Sequence, residues 1–222
     1  MAGLLVADSG VVALDGESLA DIPPRKRARR IAYVSQSWRP AFSFTVEQTV
    51  LFGRAPWHGI YGGYEEEEDL RAAEAGIELM ELDALRNAPV TELSGGELQR
   101  VMIAMALAQG ADHLLLDEPT THLDVAHQQS VLRRLAQLAP ERGISILASL
   151  HDLNLASIYS DRIVAMRDGT IVADGEPAQV LTPEILRTTF QTELHVESGL
   201  YRRGPGVRFP DDRRTAGGGA DG

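Results

Sequence analysis

Between residues 31 and 150 short apolar runs alternate with longer stretches in which apolar residues recur at helical spacing. Ile31–Val34, Leu114–Leu116 and Ile144–Leu150 are near-continuous apolar runs, the pattern of strands covered on both faces. Between them, Thr45 or Ser43 can cap a helix over Val46–Gly53. A second helix runs from Glu65 to about Met80 and turns Leu70, Ala73, Ile77 and Met80 to one side. A third covers Glu97–Gln109. A fourth covers Val125–Leu138, with Val125, Leu132, Leu135 and Leu138 toward the core. Strands alternating with helices predict an α/β fold built on a parallel sheet.

The flanks differ. The chain starts with a short helical stretch, Gly3–Val6, a turn at Asp8-Ser9-Gly10, a strand Val11–Leu14 and a turn at Asp15-Gly16. Pro23-Pro24 opens an Arg-rich helix, as proline does in a first turn. Trp57–Tyr64, rich in glycine and aromatics, reads as a loop. Glu65–Glu68 make a solvated helix start that suits the positive helix end. After Asp161, Arg162–Arg167 and Thr170–Ala173 flank an Asp168-Gly169 turn and predict a hairpin. Pro183–Phe190 reads as a short helix and Glu193–Glu197 as a last strand. The tail from Arg213, RRTAGGGADG, has nothing to bury and reads as disordered.

Composition narrows the classes. The 222 residues fit one domain or one domain with an appendage, and 44% hydrophobic content supplies a core. There are no cysteines, so disulfides and thiolate metal sites are excluded. A formal charge of −11 argues against broad affinity for nucleic acid or anionic lipid. No apolar run approaches the length of a membrane span, and the first residues lack a signal-peptide pattern. Any membrane role is expected to be peripheral. Of 21 Lys and Arg residues only Lys26 is lysine, within PPRKRARR.

Candidate chemistry gathers between Leu93 and Asp124. Asp117-Glu118 ends an apolar strand, where two acids are costly unless a cation or donors receive them. One could hold Mg²⁺ and the other orient a water for attack on a phosphate; the bland alternative is an acidic turn before Pro119. Ser94-Gly95-Gly96 precedes a helix, a setting for anions, and Ser94 with Glu97 equally matches a plain capping box. His151, at a strand end, could donate to a phosphate or be structural. Gln36, also at a strand end, could ligate Mg²⁺ and hold water.

Together these residues resemble the ATP-binding cassette (ABC) ATPases. LSGGELQR is similar to the family signature, LLLDEP to its Walker B and Thr121-His122-Leu123-Asp124 to its D-loop; His151 matches the switch histidine and Gln36, in YVSQ, the Q-loop glutamine. The resemblance covers about residues 1–200, with the motifs in family order. It implies a P-loop NTPase-type parallel-sheet core with a helical signature subdomain over about 45–105, and a C-terminal extension over 201–222. It further implies ATP and Mg as cofactors and a head-to-tail pair of such subunits. Glu118 is then the water-orienting carboxylate or general base, Asp117 the Mg²⁺ partner, and Gln36 and His151 their companions. Ser94, Gly95 and Gly96 cover a nucleotide held by the other subunit, and Asp124 links the two sites. VEQTVLFGRAPWHG, TTHLDVAHQ, LHDLNLAS and GEPAQVLTPEILRTTF resemble the importer subgroup for iron–siderophore, haem or cobalamin. Membrane-spanning permease subunits are the implied partners, a substrate-binding protein indirectly, with no nucleic acid. The implied location is cytoplasmic, on the inner face of the cell membrane.

One family element has no counterpart. The sequence contains no G-x-x-x-x-G-K-[ST], the loop that cradles the β- and γ-phosphates. Lys26 has no preceding glycine, and Arg27 follows it. The first residues are similar to the text that follows the loop's helix, so the fold is expected to be incomplete at the N-terminus, with about 40 family residues, including the first strands, upstream. A late start codon and a truncated gene both account for this. The chain alone is expected to bind ATP weakly, to lack turnover and to carry an unpaired sheet edge. Two other readings stay open. One is a non-hydrolysing remnant or regulatory protein contributing only the signature half. The other is a nucleic-acid-acting relative, supported only by Arg25–Arg30; with 57 residues between Gln36 and Ser94 there is no room for a long coiled-coil insertion.

Overall fold

The computed structural model describes residues 3–209 apart from 37, 39, 59–66 and 122. The chain divides into two compact units, residues 1–150 and 151–222.

The first unit opens with a two-residue hairpin, β1 (Ala13–Leu14) and β2 (Glu17–Ser18), around Asp15-Gly16, both with positive φ. No helix forms at 3–6, where Leu4, Leu5 and Val6 stand exposed, and the strand expected from Val11 is confined to Ala13–Leu14. Helix α1 (Pro24–Arg30) starts on its proline, as expected. It leads into β3 (Ile31–Val34).

Strands β3, β4 (His113–Leu116) and β5 (Ser145–Ala148) form one parallel sheet with β4 central. The register sets Val34, Leu116 and Ala148 side by side. On one face Ala32, Val34, Leu114 and Leu116 are buried, with Ile146 and Ala148 packed against the same core. On the other, Tyr33 is 40% and Leu147 44% exposed. The strands therefore alternate where continuous burial was expected, so in this chain the sheet is well covered on one face only.

Helices α2 (Val46–Leu51), α3 (Glu67–Leu79) and α4 (Gly95–Ala108) pack together. Thr45 rather than Ser43 caps α2, in a full capping box with Gln48. A 3-10 helix, Phe52–Trp57, continues α2. Residues 59–64 of the expected aromatic loop, with Glu65 and Glu66, lie outside the described residues. In α3 the inward positions are Asp69, Ala73, Gly76 and Ile77, whereas Leu70 is 48% exposed. The stripe starts on an acid because Arg54 waits inside. Its Nε donates to Asp69 Oδ1 at 2.8 Å, and both side chains are almost wholly buried. His58 Nε2 lies 2.5 Å from the other oxygen of Asp69. Helix α5 (Val125–Arg142) buries Leu132, Leu135 and Leu138 as expected and stops at left-handed Gly143. Val125 is 70% exposed, because the first turn of α5 lies outside the core.

The second unit holds α6 (Leu153–Tyr159) and the expected hairpin, β6 (Ile163–Arg167) and β7 (Thr170–Gly175). Short α7 (Pro177–Val180) and α8 (Pro183–Phe190) follow. Strand β8 (His195–Glu197) pairs with β9 (Gly206–Arg208). The Asn154 amide exchanges two hydrogen bonds with the Val207 backbone, and Ser157 Oγ donates to Pro205 O, so residues 205–207 are held against α6. The tail from Arg213 lies outside the described residues.

Candidate functional site

The site stands at the carboxyl ends of the parallel strands, where an open α/β sheet gathers ligand groups. The ladder runs one step past the strands: Asp117 N–H donates to Val34 O at 2.9 Å and Ser149 N–H to Leu116 O at 3.0 Å. That step sets Asp117 beside Ser149. Ser149 Oγ donates to Asp117 Oδ1 at 2.8 Å and accepts the Glu118 N–H at 2.8 Å. Glu118 has φ 48°, a left-handed conformation that is costly for a residue with a side chain. The turn sends its carboxylate to Gln36, whose Nε2 donates to Oε2 at 2.5 Å. Thr121 Oγ1 donates to the same oxygen at 3.0 Å.

Gln36 and Glu118, 82 residues apart in sequence, thus meet through the strand register. Asp117 and Glu118 are half-buried, while Gln36 and Ser149 are exposed, so the cluster faces outward. His151 opens the second unit, just before Asp152, the N-cap of α6. Thr121 was visible in the sequence only as part of the D-loop motif, and Ser149 carried no signal beyond a hydroxyl near a strand end.

Ser94 caps α4. It receives the Glu97 N–H at 3.3 Å, while its own hydroxyl and N–H donate to Glu97 Oε2 at 2.6 and 2.8 Å. These donors, the hydroxyl foremost, hold the Glu97 carboxyl below the usual carboxylate range. Gly95 and Gly96 form the first turn of α4. The capping arrangement is therefore present in full, with the hydroxyl proton turned to Glu97. Asp124 caps α5, accepting the His127 N–H at 2.9 Å, and His127 Nδ1 lies 2.8 Å from its other oxygen. These contacts lower the Asp124 carboxyl too, the His127 backbone N–H first. His122 lies outside the described residues.

The basic helix has in-chain partners. Arg25 and Arg29 donate to Pro56 O, Arg29 stacks on Trp57 at 4.8 Å, and Arg30 pairs with Asp15 at 2.6 Å and Glu17 at 3.2 Å. Lys26 sits exposed in α1. Its neighbours in sequence are arginines, so it has none of the glycine amides that accompany a phosphate-loop lysine.

Residues 1–121 match the ABC transporter family. The chain belongs to this family. It is 37% identical over 196 residues to the iron(3+)-hydroxamate import ATP-binding protein FhuC of Bacillus subtilis, covering 88% of this chain and 72% of that protein. It is 38% identical to the hemin import ATP-binding protein HmuV of Rhodopseudomonas palustris, covering 97% of this chain and 81% of HmuV. Among solved structures, cbiO1 from Clostridium perfringens, part of the ABC transporter complex cbiONQ, superposes with TM-score 0.70 at 26% identity, over 84% of this chain and 74% of cbiO1. The ADP- and Pi-bound dimer of the MJ0796 cassette superposes with TM-score 0.65 at 28% identity, over 75% and 73%. The α/β fold and the family resemblance read from the motifs are thereby both established. Among the described residues, no helix is long and apolar enough to cross a membrane.

Proposed function

We propose that this chain is an ATP-binding subunit of an ABC importer, working from the cytoplasmic face of the membrane beside permease subunits and a second ATP-binding subunit. Iron(3+)–hydroxamate or haem is the favoured cargo class, from the names of FhuC and HmuV. The observation that carries the catalytic reading is the convergence of Gln36 and Glu118, with Asp117 one residue away, at the sheet's carboxyl end. In this reading Glu118 accepts a proton from, or orients, the attacking water, while Gln36 holds that water's other side and His151 contributes from the start of the second unit. Asp117 and the Gln36 amide are oxygen donors of the kind Mg²⁺ takes, alongside phosphate oxygens and water. When bound, Mg²⁺ would neutralise charge on the phosphates. Ser94, Gly95 and Gly96 at the start of α4 would face the second subunit's nucleotide, with Asp124 at the interface.

The phosphate grip itself is not supplied by these residues, because the sequence has no G-x-x-x-x-G-K-[ST]. The chain by itself therefore holds Mg-ATP weakly and does not turn it over, and its signature half acts on a nucleotide held by the partner. Calorimetric titration of the purified chain with Mg-ATP tests the proposal. Millimolar or weaker binding is expected; near-micromolar binding would show that another part of the chain grips phosphate.

The domain assignment proposed with this function places a helical subdomain at about residues 45–105, inside an ABC domain over about 1–200. Phe42, Phe44 and Phe52 make successive edge-to-face contacts at its entry, at 6.0 and 4.9 Å, and are 70, 39 and 38% exposed. Such a surface suits the permease contact that the partner assignment requires.

A further inference from the structure

We propose that Thr121 and Ser149 are positioning residues for the hydrolytic carboxylates. Thr121 sets the orientation of the Glu118 side chain, and Ser149 ties the Glu118 backbone to the Asp117 carboxylate. The inference rests on the reading of Glu118 and Asp117 given above.

The geometry has two parts. Gln36 Nε2 and Thr121 Oγ1 donate to one and the same oxygen, Oε2 of Glu118, at 2.5 and 3.0 Å. They come from different parts of the chain, Gln36 beyond β3 and Thr121 from the turn that follows Glu118 itself, where Thr121 N–H also donates to Glu118 O at 3.1 Å. Donors from two directions on one oxygen fix both the place and the plane of a carboxylate, which a single donor leaves free to swing. Gln36 is exposed, whereas Thr121 is half-buried inside a hydrogen-bonded turn. Thr121 is thus the better-anchored of the two donors, and it keeps Glu118 aimed when Gln36 turns away.

The second part acts on the backbone. Glu118 needs φ 48°, and its amide leaves the regular ladder at that point. The Ser149 hydroxyl accepts a hydrogen bond from that amide and donates one to Asp117 Oδ1, each at 2.8 Å. One side chain thereby satisfies the strained residue's N–H and orients the neighbouring acid. It can do so because register places Ser149 one step past Ala148, opposite Asp117. Displacing a reacting group by as little as an ångström can cost about a hundredfold in rate, so contacts this close to a general base bear on the chemistry.

The test reads the two carboxylates directly. In the full chain carrying ¹³C-carboxyl Glu and Asp, the Glu118 and Asp117 resonances are assigned from Glu118→Gln and Asp117→Asn. Thr121→Val is expected to move the Glu118 signal, and Thr121→Ser to return it. Ser149→Ala is expected to move the Asp117 signal and the Glu118 amide together, with Ser149→Thr restoring them. Unfolding midpoints measured beside each spectrum separate local change from loss of fold. Carboxyl signals that stay in place in folded Thr121→Val and Ser149→Ala chains overturn the inference. Turnover in the assembled transporter adds a second arm. Thr121→Val, which acts through Glu118, is expected to lower kcat by no more than the factor that Glu118→Gln gives, with KM for Mg-ATP unchanged. Glu118-dependent turnover that is indifferent to Thr121→Val and Ser149→Ala would also overturn it. Shifted resonances with turnover indifferent to Glu118→Gln would uphold the clamp and sink the catalytic reading of Glu118 instead.

Discussion

Ser94 commits its hydroxyl proton to Glu97 Oε2 at 2.6 Å, so it can donate to a phosphate only by turning that proton away from Glu97. The Glu97 carboxyl is held below its ordinary value by the Ser94 hydroxyl first and the Ser94 N–H second. The sign follows: a depressed carboxyl stabilises its fold above the ordinary carboxylate range, and that contribution disappears as pH falls through the depressed value. The first turn of α4 is therefore expected to lose amide protection on acidification through that window. Glu97→Gln should remove the pH dependence while keeping an acceptor for the box. Protection factors from hydrogen exchange at Glu97 and Leu98 across the acid range check this, and protection that stays flat with pH in the native chain would contradict it. The Ser-x-x-Glu spacing made this cap legible in the sequence. The Thr121–Glu118 and Ser149–Asp117 contacts were not legible, because they depend on a left-handed turn and on strand register, neither of which residue type alone encodes.

At the scale of elements, what decides the helical region is one buried charge cluster and two close backbone approaches. Arg54 and Asp69 are both almost fully buried, and His58 shares the acid. Removing Asp69 takes the buried acid from Arg54 and leaves it the exposed Glu68 carboxylate at 3.1 Å, so Asp69→Ala is expected to cost about 3 kcal/mol, read as a shift in urea midpoint. A Cβ on Gly76 would stand 2.7 Å from Ala104 O, and one on Gly53 would clash with Met105 O. Both positions face the backbone of α4, which cannot fold aside like a side chain. Gly76→Ala is therefore expected to destabilise the protein despite alanine's better helix propensity, by about 1–3 kcal/mol, in the same urea measurement. A surface glycine would respond in the opposite direction. Helix spacing predicted α3 well except at its start. There apolarity pointed to Leu70 while the inward position belongs to Asp69, and only the Arg54 contact across 15 residues explains the choice. The same limit applies to α5: period put Val125 on the core face, but period does not say how far the core extends along a helix.

At the scale of the whole molecule, the two halves of the candidate site serve different nucleotides in the proposed arrangement. Asp117, Glu118 and Gln36 sit together at the sheet's carboxyl end, while Ser94, Gly95 and Gly96 open α4. Family membership was readable from the order of the motifs, since each marks a strand or helix end that an α/β fold must expose. The burial of only one sheet face was not, because continuous apolar text looks the same whether or not a second layer covers it. In the proposed reading the two halves are unequal, because the motif G-x-x-x-x-G-K-[ST] does not occur in the sequence. In a transporter whose other ATP-binding subunit carries that loop, Ser94→Ala in this chain is expected to lower ATP turnover about tenfold or more, the loss of a donor aimed at transferring phosphate. Glu118→Gln in this chain should have the smaller effect if, as proposed above, the nucleotide that its carboxylate faces is held only weakly. Steady-state turnover of the two assembled variants, each beside the native complex, gives the order directly. If Glu118→Gln proves the more damaging, the carboxylate acts on a nucleotide that this subunit itself grips and hydrolyses.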